Sequence, residues 1–157
     1  MAAALHAIHQ ESCDVSALPR RGSVGPRKNF QSLGSGESQD DRVRSVFGVR
    51  DGGSLPRVSR ATLLAYYKYL RARLSMPFRA EHCSVHSRIA EQVTVIDLVS
   101  PAGVGVDIRR GLMCVARGRD GVRRLPLVEL EVREDEPSFH LLEDYWYWAW
   151  NWGIEHP

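Results

Sequence analysis

The chain has 157 residues, 43% of them hydrophobic and 25% charged, an ordinary balance for a soluble globular protein. The formal net charge is only +2, from 21 Lys+Arg against 19 Asp+Glu. Apolar runs are a few residues long, which excludes a membrane-spanning helix.

These averages conceal a division. Residues 1–59 contain 7 Gly, 3 Pro and 9 Ser but only two of the 13 aromatics, Phe30 and Phe47. Residues 60–157 hold the other 11, including all four Trp. The composition predicts a low-complexity, disordered arm over 1–58, a compact domain over 59–153 and a short tail over 154–157. The first 59 residues carry 8 basic and 6 acidic side chains, whereas the remainder carries 13 of each. A neutral domain argues against nucleic acid as a partner, because phosphate binding needs concentrated positive charge. The N-terminus lacks a basic region and a secretory apolar segment, so the expected location is the cytoplasm. Three widely spaced cysteines, Cys13, Cys83 and Cys114, form neither a disulfide framework nor a zinc pattern. Cys83 and Cys114 read as small buried strand residues.

In chain order, Arg20–Ser59 is broken by Gly, Pro and Ser, and only Val43–Val49 reads as a short strand. Ser59 then suits an N-cap. Leu63, Tyr67, Leu70 and Leu74 recur at helical spacing, and Pro77 stops continuation. Lys68, Arg71 and Arg73 fall mostly off that stripe and form a solvated face. Phe78–Val85 is a short mixed strand. Gln92–Val99 is the strongest strand, with Val93, Val95, Asp97 and Val99 on one face and Ile96 and Leu98 on the other. Arg110–Arg117 has the composition of a buried strand. Gly118-Arg-Asp-Gly121 is a hairpin signal, and Val122–Leu127 returns as its partner, with Pro126 marking an edge or an end. Val128–Val132 alternates apolar and acidic residues, as a half-exposed strand or a tight turn leading into one. A final helix follows Pro137, with Leu141, Tyr145, Trp148 and Trp152 on one stripe, Phe139, Leu142 and Trp146 beside it, and Gly153 as the stop. The predicted fold is α+β: a small SH3-like, partly open antiparallel β-barrel flanked by an N-terminal and a C-terminal helix.

No nucleophile lies in a frame that would place a base beside it, so no enzyme is expected. His82 and His86 are four apart but sit in a strand pattern without the glutamate of a zincin. Two features carry potential function. The aromatic run Tyr145–Trp152 points around its helix, so part of it either remains exposed or packs on a second surface. The acidic run Glu129, Glu131, Glu134, Asp135 and Glu136 gathers carboxylates whose repulsion a hard divalent cation would offset. The same acids also suit the dipole of a following helix and the outer face of an edge strand.

Five segments extend the second reading. They are Leu64-Ala-Tyr-Tyr-Lys-Tyr-Leu70, Leu74-Ser-Met-Pro-Phe-Arg-Ala80, Val93-Thr-Val-Ile-Asp-Leu98, Leu125-Pro-Leu-Val-Glu-Leu-Glu131 and Leu142-Glu-Asp-Tyr-Trp-Tyr-Trp148. Together they resemble the small calcium-binding proteins first known from cyanobacteria, over about residues 60–150. The resemblance implies an SH3-like barrel and calcium held by surface carboxylates. The family's acid-rich loop after the Val-x-Val-x-x-Leu strand is represented here only by Asp107. The expected ligands are therefore Asp107, Glu129, Glu131, Glu134, Asp135 and Glu136, in a buffer or sensor-like domain. The alternative is an SH3-like interaction module that has lost metal binding and contacts a protein or peptide through Tyr147, Trp150 and Trp152.

Overall fold

The computed structural model describes residues 37–50, 52–83, 90–103 and 107–153. The first 36 residues, and with them Cys13, lie outside this set, as do His86 and the tail 154–157.

Among the described residues, three helices and one sheet make an α+β fold. Helix α1 spans Gln39–Phe47, α2 spans Arg60–Arg73 and α3 spans Phe139–Asn151. The start of α2 is built as its sequence predicts. The Thr62 amide donates to the Ser59 hydroxyl (3.2 Å) and the Ser59 amide donates to the Thr62 hydroxyl (2.8 Å). This reciprocal cap satisfies two donors that a helix start leaves open. The buried residues of α2 are Leu63, Tyr66 and Leu70, while Tyr67 and Leu74 are only half-buried. The stripe is thus Leu63–Tyr66–Leu70, and Tyr66 takes the central place that the sequence period assigned to Tyr67. The basic residues stay outside: Arg71 pairs with Asp97, and the Arg73 guanidinium lies 4.1 Å above the Tyr69 ring.

The strands are β1 (Phe78–Cys83), β2 (Ala90–Val99), β3 (Met113–Gly118), β4 (Gly121–Pro126) and β5 (Leu130–Glu131). They form one antiparallel sheet in the order β4-β3-β2-β1-β5. The Gly118–Gly121 hairpin is present, with Gly121 at φ +106°, a backbone angle that side chains resist. Between β4 and β5 the chain makes a 3-10 turn over Leu127–Glu129, so the 128–132 stretch is both the turn and the strand it leads into. One facing prediction is corrected. The register between β2 and β3 shifts between Val95 and Asp97, so Val93, Val95 and Leu98 are buried together while Asp97 is not. A bulge inserts one residue and reverses the alternation beyond it. Leu98 therefore turns inward, and Ile96 remains exposed.

Phe78, Ala80, Val93, Val95, Leu98, Cys114, Ala116, Leu125 and Leu130 form the sheet's share of the core. Cys114 is a free buried thiol that donates to the Leu125 carbonyl, and burial pushes its pKa up to about 12, so it is protonated and inert at neutral pH. The other share is aromatic. The Tyr66 ring stacks on Trp148 at 5.0 Å and meets Tyr145 edge-on at 5.2 Å.

The stretch read as a disordered arm enters this core. Residues 43–49 are not a strand: Val43 to Phe47 belong to α1, which has a Ser38–Asp41 capping box at one end and left-handed Gly48 at the other. Val43 is fully buried, as is most of Leu55 beyond the helix. The described fold therefore begins before residue 59. Composition averaged over 59 positions diluted a nine-residue helix with strong caps.

Two core tyrosines make opposite predictions. The Leu112 amide donates to the Tyr145 hydroxyl at 2.7 Å inside the core. Tyr145→Phe should leave that amide unpaired and cost about 1–3 kcal/mol. The Tyr66 hydroxyl is buried and has no hydrogen-bond partner among the described residues. Tyr66→Phe removes an unpaired polar group and should leave stability unchanged or raise it by about 1 kcal/mol. Urea unfolding of the two variants checks the signs; equal losses would refute the assignment.

Candidate metal centre

The sheet register places the acidic residues. Glu131 on β5 lies directly opposite Glu81 on β1, and both side chains project from the same face. With Glu134 from the loop before α3 they line an open groove of about 440 Å³, walled by Phe139 and Trp146 of α3. Glu81 also accepts a hydrogen bond from the side-chain amide of Gln92, its neighbour on β2. Two carboxylates facing each other across a strand pair repel. Arg133 also lines the groove, but its ion pair is with Asp135; among the described residues neither Glu131 nor Glu134 makes an ion pair.

The other predicted ligands are engaged elsewhere. Asp107 caps a 3-10 turn over Ile108–Arg110 by accepting from the Arg109 amide at 3.0 Å. Asp135 accepts two hydrogen bonds from Arg133, at 3.1 and 3.3 Å. Glu136 accepts from the Arg79 amide at 3.4 Å. Glu129 sits on the 3-10 turn before β5, its carboxylate 3.2 Å from His82 Nε2. Of the six, the structure brings Glu131 and Glu134 together and separates the rest. Among the described residues, no three His, Cys, Asp or Glu side chains are already gathered as a metal cluster.

Glu129 belongs to a second, opposite polar group. His82, Glu91 and Arg123 lie at one end of the inward face of the sheet, next to Ala80, Val93 and Ala116 in the registers. Arg123 pairs with Glu91 and donates to His82 Nδ1 at 3.5 Å, and Glu91 also accepts from the Arg119 amide at 2.8 Å. A carboxylate accepts and a guanidinium donates, so neutral His82 with its proton on Nε2 satisfies both neighbours. The Arg123 hydrogen bond, followed by that of the Arg119 amide, holds the Glu91 carboxyl below its ordinary pKa. Arg123 offsets the charge of Glu91, and the group lies at the end of the core beside Ala80, Val93 and Ala116.

The residues proposed for partner contact are also accounted for. Tyr147 is half-buried; its hydroxyl donates to Asp40 of α1 at 2.5 Å and its ring meets Trp152 at 5.5 Å. Trp152 is half-buried beside Leu55 and Arg57, and Trp150 is half-buried as well. Among the described residues, the exposed large hydrophobics are Ile96, Ile108 and Val122 instead.

Glu81 escaped the sequence reading because it sits alone in a mixed strand, fifty positions from Glu131. Only the pairing of β1 with β5 makes them neighbours.

Exposed carboxylate oxygens with room for water around them are the donor set of a hard cation, not of a soft or redox metal. A family model described as calcium binding, of the CcbP type, matches residues 59–149. This is more than half of the chain, and the protein belongs to that calcium-binding family, with calcium as the ion bound. No curated protein and no solved structure matches the chain. No helix among the described residues is long and apolar enough to cross a membrane.

Proposed function

We propose that the chain is a non-enzymatic calcium-binding protein of the buffer or sensor-like kind. It holds the ion at the β1–β5 edge through Glu81, Glu131 and Glu134. The facing of Glu81 and Glu131 across the strand pair carries this reading, since a divalent cation turns their repulsion into attraction. Three carboxylates provide fewer oxygens than the six to eight that calcium prefers, so water completes the shell and affinity is modest. Glu129, Asp135, Glu136 and Asp107 act on the surrounding turns instead of the ion. The sheet order, with a 3-10 turn between the last two strands and β5 paired to β1, supports an SH3-like, partly open barrel as the scaffold.

Calcium titration with a thermal melt tests the proposal. Ligand present at a hundredfold excess over its Kd should stabilise the native state by about 2.7 kcal/mol. For a domain near 100 residues this raises Tm by roughly 10–20 °C. Trp146, on the groove wall, should report the same titration by fluorescence. A melt unchanged at millimolar calcium refutes the reading.

A further inference from the structure

Helix α1 lies outside residues 59–149 that the family model matches, yet it is seated on α2 and α3. Its two caps are internal to residues 38–48, so it is a self-contained helix laid on the matched domain. Its apolar grip is three side chains: Val43 is buried, Val46 packs against the core, and Phe47 touches Tyr66 at 5.7 Å and Trp148 at 5.0 Å. Its polar grip is specific. Arg42 reaches Asp144 of α3 with Nε and Nη2, each at 2.8 Å from a different carboxylate oxygen. Asp144 is only 7% exposed, while the Arg42 side chain is 34% exposed. Next to them the buried Tyr66 hydroxyl has no partner among the described residues.

A permanently sealed helix interface gains little from a buried carboxylate and an orphan hydroxyl, both of which cost free energy to desolvate. A surface that recognises a guanidinium needs such a carboxylate, because the paired contact selects arginine over other residues. The side chains of α2 and α3 thus have the chemistry of a helix-in-groove site, read by an arginine beside apolar anchors.

We propose that the α2–α3 face centred on Asp144 is a helix-docking site, which α1 occupies in cis as a strap latched by Arg42. The partner it fits is an amphipathic helix that repeats the pattern of α1, an arginine followed directly by a small apolar residue and five positions on by an aromatic. Such a partner gains access by displacing α1. This site is separate from the acidic groove and does not depend on calcium.

The test uses the full chain carrying Arg42→Ala and follows amide hydrogen exchange. The expected result is exchange over residues 39–47 that is at least tenfold faster, with α2, α3 and the strands still protected. A fluorescein-labelled peptide of residues 37–50 should bind this variant, measured by anisotropy, at least tenfold more tightly than it binds the unaltered chain, where α1 competes in cis. Adding Asp144→Asn should abolish that binding. Unchanged exchange in α1 would overturn the latch. Simultaneous opening of α1 and the strands would make α1 an integral core helix and overturn the strap. Failure of the peptide to bind the variant would overturn the docking site. Should the alanine variant not fold, Arg42→Lys, which keeps the charge and loses the paired contact, should give an intermediate acceleration confined to 39–47.

Discussion

Trp148→Ala is expected to cost about 3–5 kcal/mol, the range for emptying a large aromatic site in a core. Trp148 is fully buried and lies at the meeting point of all three helices. Its ring stacks on Tyr66 of α2 at 5.0 Å, contacts Phe47 of α1 at 5.0 Å and lies 6.3 Å from Tyr145 on its own helix. Its indole N–H donates to the Pro56 carbonyl at 2.8 Å, which fastens the chain between α1 and α2 to the core. Alanine removes the ring contacts and this tie together. With domains of this size stable by about 5–15 kcal/mol, the variant should sit at or near its unfolding threshold at 37 °C. Trp150, two residues on, roughly on the opposite side of α3 and half-buried, is the control: Trp150→Ala should cost well under half as much. Chemical denaturation of both variants measures the difference, and equal losses would show that Trp148 is not the keystone of the helical layer.

The second large effect concerns the groove. The double variant Glu81→Gln/Glu131→Gln should lose nearly all of the calcium-dependent stabilisation, about 2.7 kcal/mol at a hundredfold excess of ion. Without calcium the same variant should be slightly more stable than the unaltered chain, by a few tenths of a kcal/mol, because like charges facing across a strand pair are removed. This inversion distinguishes an ion site from a structural role, since a structural role would destabilise both states. Asp107→Asn and Glu129→Gln should retain the calcium response, because those carboxylates are bound to the Arg109 amide and to His82. A calcium response that disappears in Asp107→Asn and persists in the double variant would move the site to the other end of the predicted ligand set.

Much of the fold was legible because its signals are local. The Ser59 cap, the Gly118–Gly121 hairpin and the turn into β5 each depend on residues within a few positions of one another. The errors are equally specific. Strict alternation puts Leu98 on the face opposite Val93 and Val95, because it cannot anticipate a bulge, which arises from how β2 pairs with β3. Tyr66 replaced Tyr67 in the core because three of four consecutive positions are tyrosine, and the seat of a helix on its neighbours decides between them. Residues 43–49 were read as a strand because valines flank a short apolar stretch, while the caps at Ser38 and Gly48 that define α1 lay in a Gly- and Ser-rich background. For the site, the acidic run was visible and its division was not. Adjacent acids share sequence but not direction: Glu136, Asp135 and Glu129 went to an amide, an arginine and a histidine, while Glu131 and Glu134 line the groove.

By itself the sequence determined the α+β class, the elements from Ser59 onward and the membership of a calcium-binding family over 59–149, because caps, periods and ordered motifs are written in neighbouring residues. Only the tertiary structure decided which carboxylates share a groove and where α1 goes. Glu81 meets Glu131, and Arg42 meets Asp144, across 50 and 102 positions of chain. Encounters at that range are set by strand register and helix packing, whose free energy is spread over the whole core and leaves no mark on the residues that finally touch.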